Sequence, residues 1–164
     1  MRMLFHGGTS VVINPICAVG RDNLDFGKGF YLTDMRMQAV DWATRIANMG
    51  LPQWLNVYEF DDARAAAFRQ KVFQTYDVEW LQFIAKSRKG MKPWAEFDLI
   101  EGGIADDRVI DTVELYLNGD ITEEMALRRL SMHQPNNQIC ILNQGVVNQC
   151  LRFVNSEPLN SLAK

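Results

Sequence analysis

The run Asp25-Phe26-Gly27-Lys28-Gly29-Phe30-Tyr31-Leu32-Thr33, with Trp42 eleven residues beyond Tyr31, combines two aromatic faces with a backbone relieved of side chains at two points. A flat cation is attracted to the face of an indole or phenol ring. Glycines on either side of Lys28 let the main chain approach a ligand without a Cβ in the way. Arg21 and Lys28 carry charge that could meet phosphate groups, and read equally as solvated surface charges. Other chemistry has less support. Three cysteines, Cys17, Cys140 and Cys150, lack a CxxC spacing and suit neither a disulfide framework nor a zinc site. Two histidines, His6 and His133, are too few for a histidine-based metal centre. No serine stands in a nucleophile-elbow context, and Cys17 has no histidine partner in view.

The elements that must position these residues read as an α+β order. Residues 2–6 form a first strand stopped by Gly7-Gly8, residues 14–25 a loop, and residues 28–33 a second strand of bulky and β-branched side chains. Asp34 is expected to cap a helix whose apolar face carries Met35, Ala39, Trp42, Ala43 and Ile46, ended by Gly50-Leu51-Pro52. A strand over 54–60 follows, then helices over 63–74 and 78–86, the latter with Trp80, Leu81 and Ile84 inward. Residues 97–100 read as a strand ending at Gly102-Gly103, and residues 106–117 and 122–131 as two helices. Short strands at 138–142 and 151–154 come last, with a frayed tail from Glu157.

At 164 residues, 48% hydrophobic and 23% charged, the chain is expected to be a single globular domain over 1–164. No apolar run approaches the roughly 20 residues of a membrane helix. The start, Met1-Arg2-Met3-Leu4-Phe5-His6, lacks the apolar region of a signal peptide, so the expected location is the cytoplasm. A net charge of −3 exerts no general pull on nucleic acid, which excludes neither RNA nor DNA as a substrate.

Taken together, His6-Gly7 on an N-terminal strand, Phe26-Gly27-Lys28-Gly29-Phe30-Tyr31 and the aromatic eleven residues on resemble the ADP-ribosyltransferase superfamily. The likeness is greatest to the branch containing diphtheria toxin and the poly(ADP-ribose) polymerases. Leu4-Phe5-His6-Gly7-Gly8, the 25–33 run, Phe97-Asp98-Leu99-Ile100 and Ile104-Ala105-Asp106-Asp107 further resemble a small bacterial family of uncharacterised domains in that superfamily. The resemblance implies a split, mixed sheet with flanking helices, and NAD as substrate. It implies that His6 bonds the adenosine-side ribose, that the Gly7 backbone pairs with the nicotinamide carboxamide, and that Tyr31 and Trp42 sandwich the ring. Thr9, Arg21 and Gly29 complete the expected NAD-contacting set. Taken singly, His6 reads as a hydrogen-bonded core residue and Trp42 as part of a helix's apolar face; their joint occurrence in this order carries the reading.

The third catalytic position departs from the polymerase pattern. The strand glutamate of the family falls at Gln138 in Asn136-Asn137-Gln138-Ile139-Cys140-Ile141, giving a His6, Tyr31, Gln138 triad. A glutamine can position a ribose hydroxyl but lacks the charge that stabilises a cationic transition state, a loss of about 10²–10³ in rate. Chain elongation is therefore not expected. Arginine is a poor acceptor candidate, because the Glu-x-Glu pattern of arginine-modifying toxins is here Asn136 and Gln138. Glu101, or Asp106 with Asp107, could supply a carboxylate instead, although the aspartates more simply cap the following helix. The expected function is mono-ADP-ribosyl transfer to protein or nucleic acid with release of nicotinamide. The setting is that of an intracellular bacterial toxin paired with an antitoxin, and loop 133–137 is the expected place of acceptor contacts. Two rivals are an NAD- or ADP-ribose-binding module that has lost transfer, and an NAD glycohydrolase.

Overall fold

The structure, a computed structural model of the chain, describes residues 1–160 except 22, 23 and 134. Among them it is a mixed α+β arrangement of two sheets and six α-helices. In chain order the elements are β1 (Arg2–Gly8), β2 (Phe30–Leu32), α1 (Arg36–Thr44), β3 (Trp54–Phe60), α2 (Asp62–Ala65), β4 (Gln70–Val72), α3 (Val78–Arg88), β5 (Leu99–Gly102), α4 (Asp107–Leu117), α5 (Glu123–Leu130), β6 (Gln138–Ile141), α6 (Gln144–Cys150) and β7 (Leu151–Pro158). One sheet is antiparallel, ordered β1-β3-β7; the other is mixed, ordered β2-β6-β5-β4, with β4 parallel to β5. Among the described residues one antiparallel bridge joins them, with Phe5 N–H donating to Thr33 O at 2.8 Å and Thr33 N–H to Phe5 O at 2.9 Å.

Three apolar clusters fix the layers. Leu4, Tyr58 and Phe60 of the first sheet meet Phe30, Leu32, Leu99, Ile139 and Ile141 of the second, with α2 and α6 at the margin. The other face of the second sheet carries Ile100 and Cys140 against Trp80 and Ile84 of α3, Val109 of α4 and Leu130 of α5. The outer face of the first sheet, with Leu55 and Val57, is covered by Ala39 of α1. All three cysteines are buried in these layers, and burial pushes the Cys140 thiol up to about 12.

Several sequence expectations need correction. β1 runs through Gly7-Gly8 instead of stopping before them, because both pair with β3 opposite Leu55 and Trp54. Asp34 does not cap α1: Met35 holds the cap position, and its N–H donates to Thr33 Oγ1 at 3.0 Å. Ile46 lies beyond the end of that helix and is 86% exposed. The helix expected over 63–74 is one turn, capped by Asp61 accepting from Arg64 N–H, followed by β4. Asp98 explains the break: it accepts from the Arg69 backbone N–H at 2.9 Å and from the guanidinium, and turns the chain into β4. β7 continues to Pro158, so Glu157 and Pro158 pair with β3 where fraying was expected; residues 161–164 lie outside the described set. α6 was not foreseen at all; Asn143 caps it by accepting from Gly145 N–H.

Candidate functional site

Beyond the Phe5–Thr33 bridge, β1 and β2 part. In an antiparallel strand the N–H and C=O of one residue point to the same side, and successive residues alternate. Phe5 turns both groups to β2, so His6 turns its own to β3 and Gly7 turns its pair back toward β2. Thr33 faces β1, so Tyr31 does as well. The Gly7 N–H and C=O and the Tyr31 N–H therefore line the gap, and none of them makes a hydrogen bond among the described residues. Backbone groups in a sheet are normally paired, so a donor and an acceptor side by side in a gap between strands form a ready recognition edge.

His6 stands at this gap. Its Nδ1 lies 2.8 Å from Tyr31 O, and because a carbonyl only accepts, Nδ1 carries the proton. Burial lowers the His6 pKa, with the Tyr31 carbonyl opposing in part, so the ring is neutral at pH 7 and Nε2 presents a lone pair. Nε2 makes no hydrogen bond among the described residues. The ring also packs against Phe30, with centroids 4.6 Å apart, so His6 is half core residue and half gap lining.

Tyr31 pairs with Cys140 across β2 and β6, and its hydroxyl donates to Gly27 O at 2.6 Å. Burial, reinforced by the Cys140 thiol, pushes its pKa far above the ordinary phenol value, so it stays protonated. Gln138 stands two residues before Cys140 and thus on the same sheet face as Tyr31. It is 8% exposed, and its amide makes no hydrogen bond among the described residues.

The second aromatic, Trp42, is half-buried and belongs to none of the three clusters. Neither it nor Tyr31 stacks on another aromatic ring among the described residues. Its helix is set by Gly7: a Cβ there would stand 1.7 Å from Ala39 O, so only glycine lets α1 lie this close to β1. Gln38, one turn before Trp42 on the same helix face, closes a two-way clasp on the residue preceding Gln138. Its Nε2 donates to Asn137 O at 2.5 Å, and its Oε1 accepts from Asn137 N–H at 3.1 Å. The helix that carries Trp42 is thereby tied to the start of β6.

The other expected residues are placed differently. Gly27 takes a φ of 95° and lies under the Trp94 ring, and the side of Gly29 is filled by Ile141 O, so a turn and close packing account for these glycines. Thr9 and Arg21 are exposed and make no bond to the described residues. Asp106 caps α4 through Val109 N–H, and the Asp107 side chain lies outside the described set. Glu101 alternates to the face opposite Gln138, where Arg2 grips it through two bonds of 2.9 and 2.8 Å. Burial pushes its pKa up, but Arg2 and Asn137 outweigh this and hold it below the usual carboxylate range. Loop 133–137 is described except for Gln134; Asn136 Oδ1 accepts from Ile104 N–H at 2.8 Å and lies 2.9 Å from the Tyr76 hydroxyl.

Two surface hollows of about 670 and 440 Å³ lie at the far end of β2 and β6, sharing Lys28, Leu142 and Gln144. His6, Tyr31, Trp42 and Gln138 line neither. The polar groups of the hollows are largely spent on the fold: Arg69 and Asn143 on Asp98, and Gln144 on Pro15 O and Cys17 N–H. The unbonded Gly7 and Tyr31 backbone groups and His6 Nε2 are in the gap instead. Among the described residues no cluster of three or more His, Cys, Asp or Glu could hold a metal ion, and no helix is long and apolar enough to cross a membrane. Gln38, Asn137 and Arg2 are not marked as site residues by the sequence; their partners are up to 103 residues away, and no local pattern announces such pairs.

A family model described as "Protein of unknown function (DUF3990)" matches residues 2–153. No curated protein matches the chain.

Proposed function

The chain belongs to the DUF3990 family, and we propose that it is an NAD⁺-dependent mono-ADP-ribosyltransferase that binds the dinucleotide in the gap between β1 and β2. One observation carries this reading: the unpaired N–H and C=O of Gly7. A primary carboxamide presents one acceptor and one donor on a single edge, and one extended residue with both groups free is its complement. The same gap offers His6 Nε2 as acceptor for a ribose hydroxyl, and the indole of Trp42 on α1, the helix that Gln38 ties to β6, would supply the face for a cationic ring.

In the reaction the bond between nicotinamide nitrogen and ribose C1′ breaks, and its electron pair returns to the ring. Nicotinamide leaves neutral and needs no general acid. A nucleophile on a macromolecular acceptor forms the new bond to C1′ and loses its proton to solvent. The neutral His6 holds the sugar without adding positive charge beside the reacting carbon. Gln138 orients the second ribose through its open amide.

The second reading is an NAD-binding module without transfer. Glu101 favours it, because this carboxylate is locked by Arg2 and Asn137 on the wrong face to replace the missing acid. Incubation with labelled NAD and whole-cell extract, followed by separate protease and nuclease digestion, decides. Label removed by protease or by nuclease identifies transfer and the acceptor class. Free nicotinamide without labelled acceptor identifies a glycohydrolase, and NAD binding with neither product identifies the module.

A further inference from the structure

Asn137 has every hydrogen-bonding group of its backbone and its side-chain NH₂ committed. Gln38 takes both backbone groups. Nδ2 donates to Glu101 Oε1 at 2.8 Å and to Asp34 Oδ1 at 3.1 Å. Glu101 is in turn held by Arg2, whose Nε lies 3.0 Å from Asp62 Oδ1 and whose guanidinium sits 5.6 Å from the Phe60 ring centroid. One residue thus ties together β1, β5, α1 and the 33–36 turn. The next residue in the chain is Gln138, whose own amide is bonded to nothing described. A buried side chain with no hydrogen bond of its own is aimed by its backbone and by the packing around it.

We infer that Asn137 is a positioning residue: the clasp of Gln38, Glu101 and Asp34 fixes the peptide that presents Gln138 to the gap, and sets the distance from Gln138 to Trp42. The inference rests on the transferase reading for its catalytic consequence, and on geometry alone for the ordering of Gln138. The donor character of Nδ2 is the critical feature, since both of its partners are carboxylates. Asparagine donates to them; aspartate of the same shape would add a third negative charge.

The test uses Asn137→Ala, Asn137→Asp and the double variant Asn137→Asp/Glu101→Gln in the full chain. The first readout is the side-chain NH₂ resonance pair of Gln138 by NMR without NAD. It should be single and sharp in the wild type and broadened or doubled in both single variants. The second is turnover: kcat for nicotinamide release should fall about tenfold or more in Asn137→Ala and further in Asn137→Asp, while KM for NAD changes less than about threefold. The double variant, in which the glutamine amide donates to the new carboxylate, should recover part of the Asn137→Asp loss; a purely structural defect would not. An unchanged Gln138 signal in both single variants, or no recovery in the double variant of a well-folded protein, overturns the inference. A wild type that neither binds nor consumes NAD overturns the transferase reading, and the NMR comparison then stands or falls by itself.

Discussion

Gly7 and Gly8 are adjacent in sequence and opposite in what surrounds them, so alanine at each should separate fold from activity. A methyl at Gly7 would stand 1.7 Å from Ala39 O and 2.8 Å from Ala39 C, atoms of a helix backbone that cannot rotate away. Contacts of a real Cβ essentially never fall under 3.0 Å, so α1 must retreat by more than an ångström along its contact with β1. Overpacking typically costs ~1–3 kcal/mol, and a rigid obstacle puts this case at the upper end, about 2–3 kcal/mol. At about 2–4 °C per kcal/mol for a chain of this size, Gly7→Ala should lower Tm by about 4–12 °C. At Gly8 the nearest atom to a new methyl is His6 Nε2 at 3.3 Å, and the backbone conformation there suits any residue. Gly8→Ala should leave Tm unchanged or slightly raised, because alanine costs the unfolded chain entropy. Yet it crowds the one open nitrogen of His6, so NAD turnover should fall. Thermal unfolding by circular dichroism and nicotinamide release measure the two effects on the same samples. Equal Tm values for Gly7→Ala and wild type, or full turnover in a stable Gly8→Ala, would refute the reasoning for that position.

Trp42→Ala should weaken NAD binding by about 2- to 30-fold, the range of ~0.5–2 kcal/mol for a cation–π face, whereas Trp42→Phe keeps part of it; calorimetric titration reads the difference, and unchanged affinity in Trp42→Ala would sink the stacking role. Tyr31→Phe removes the bond to Gly27 O and leaves a carbonyl without its donor, so stability should drop by about 1–2 kcal/mol in urea unfolding while turnover persists. Arg69, then Asn143, hold the Asp98 carboxyl down to about 2 against the opposing effect of burial. A depressed folded pKa contributes stability that is present above the unfolded value near 4 and is lost as pH falls through the folded one. The Tm gap between wild type and Asp98→Asn should accordingly be full at pH 7 and close between about pH 4 and 2.

The sequence was most informative where local pattern and tertiary role agree. β3, α3, α4, α5 and β6 fall within a residue or two of their expected places, because a period of two or 3.6 reports which face is buried. It misled at residues 63–74, where Ala65-Ala66-Ala67 favours helix but parallel pairing of β4 with β5 and the hold of Asp98 on Arg69 favour strand. α6 leaves little trace in the sequence pattern because Gln144-Gly145 begins it with a polar residue and a weak helix former. Of the candidate site, His6, Gly7, Tyr31 and Gln138 were visible as types, and the structure brings His6, Gly7 and Tyr31 to one gap with Gln138 on the same sheet face as Tyr31. What could not be read was the support beneath them. The clasp on Asn137 joins residues 36, 99 and 103 positions apart, and the packing role of Gly7 depends on a helix whose docking no single segment specifies.

The burial of Cys17, Cys140 and Cys150 has a practical corollary. A bulky maleimide should find no thiolate on the folded chain and three on the opened one, since each sulfur is shielded and each thiol pKa is raised by burial. Cys140 pairs with Tyr31, while Cys150 lies at the α6–β7 junction. Which of the two is alkylated first would therefore report whether the molecule loosens at the strand bearing the phenol or at its opposite margin, with no probe attached beforehand.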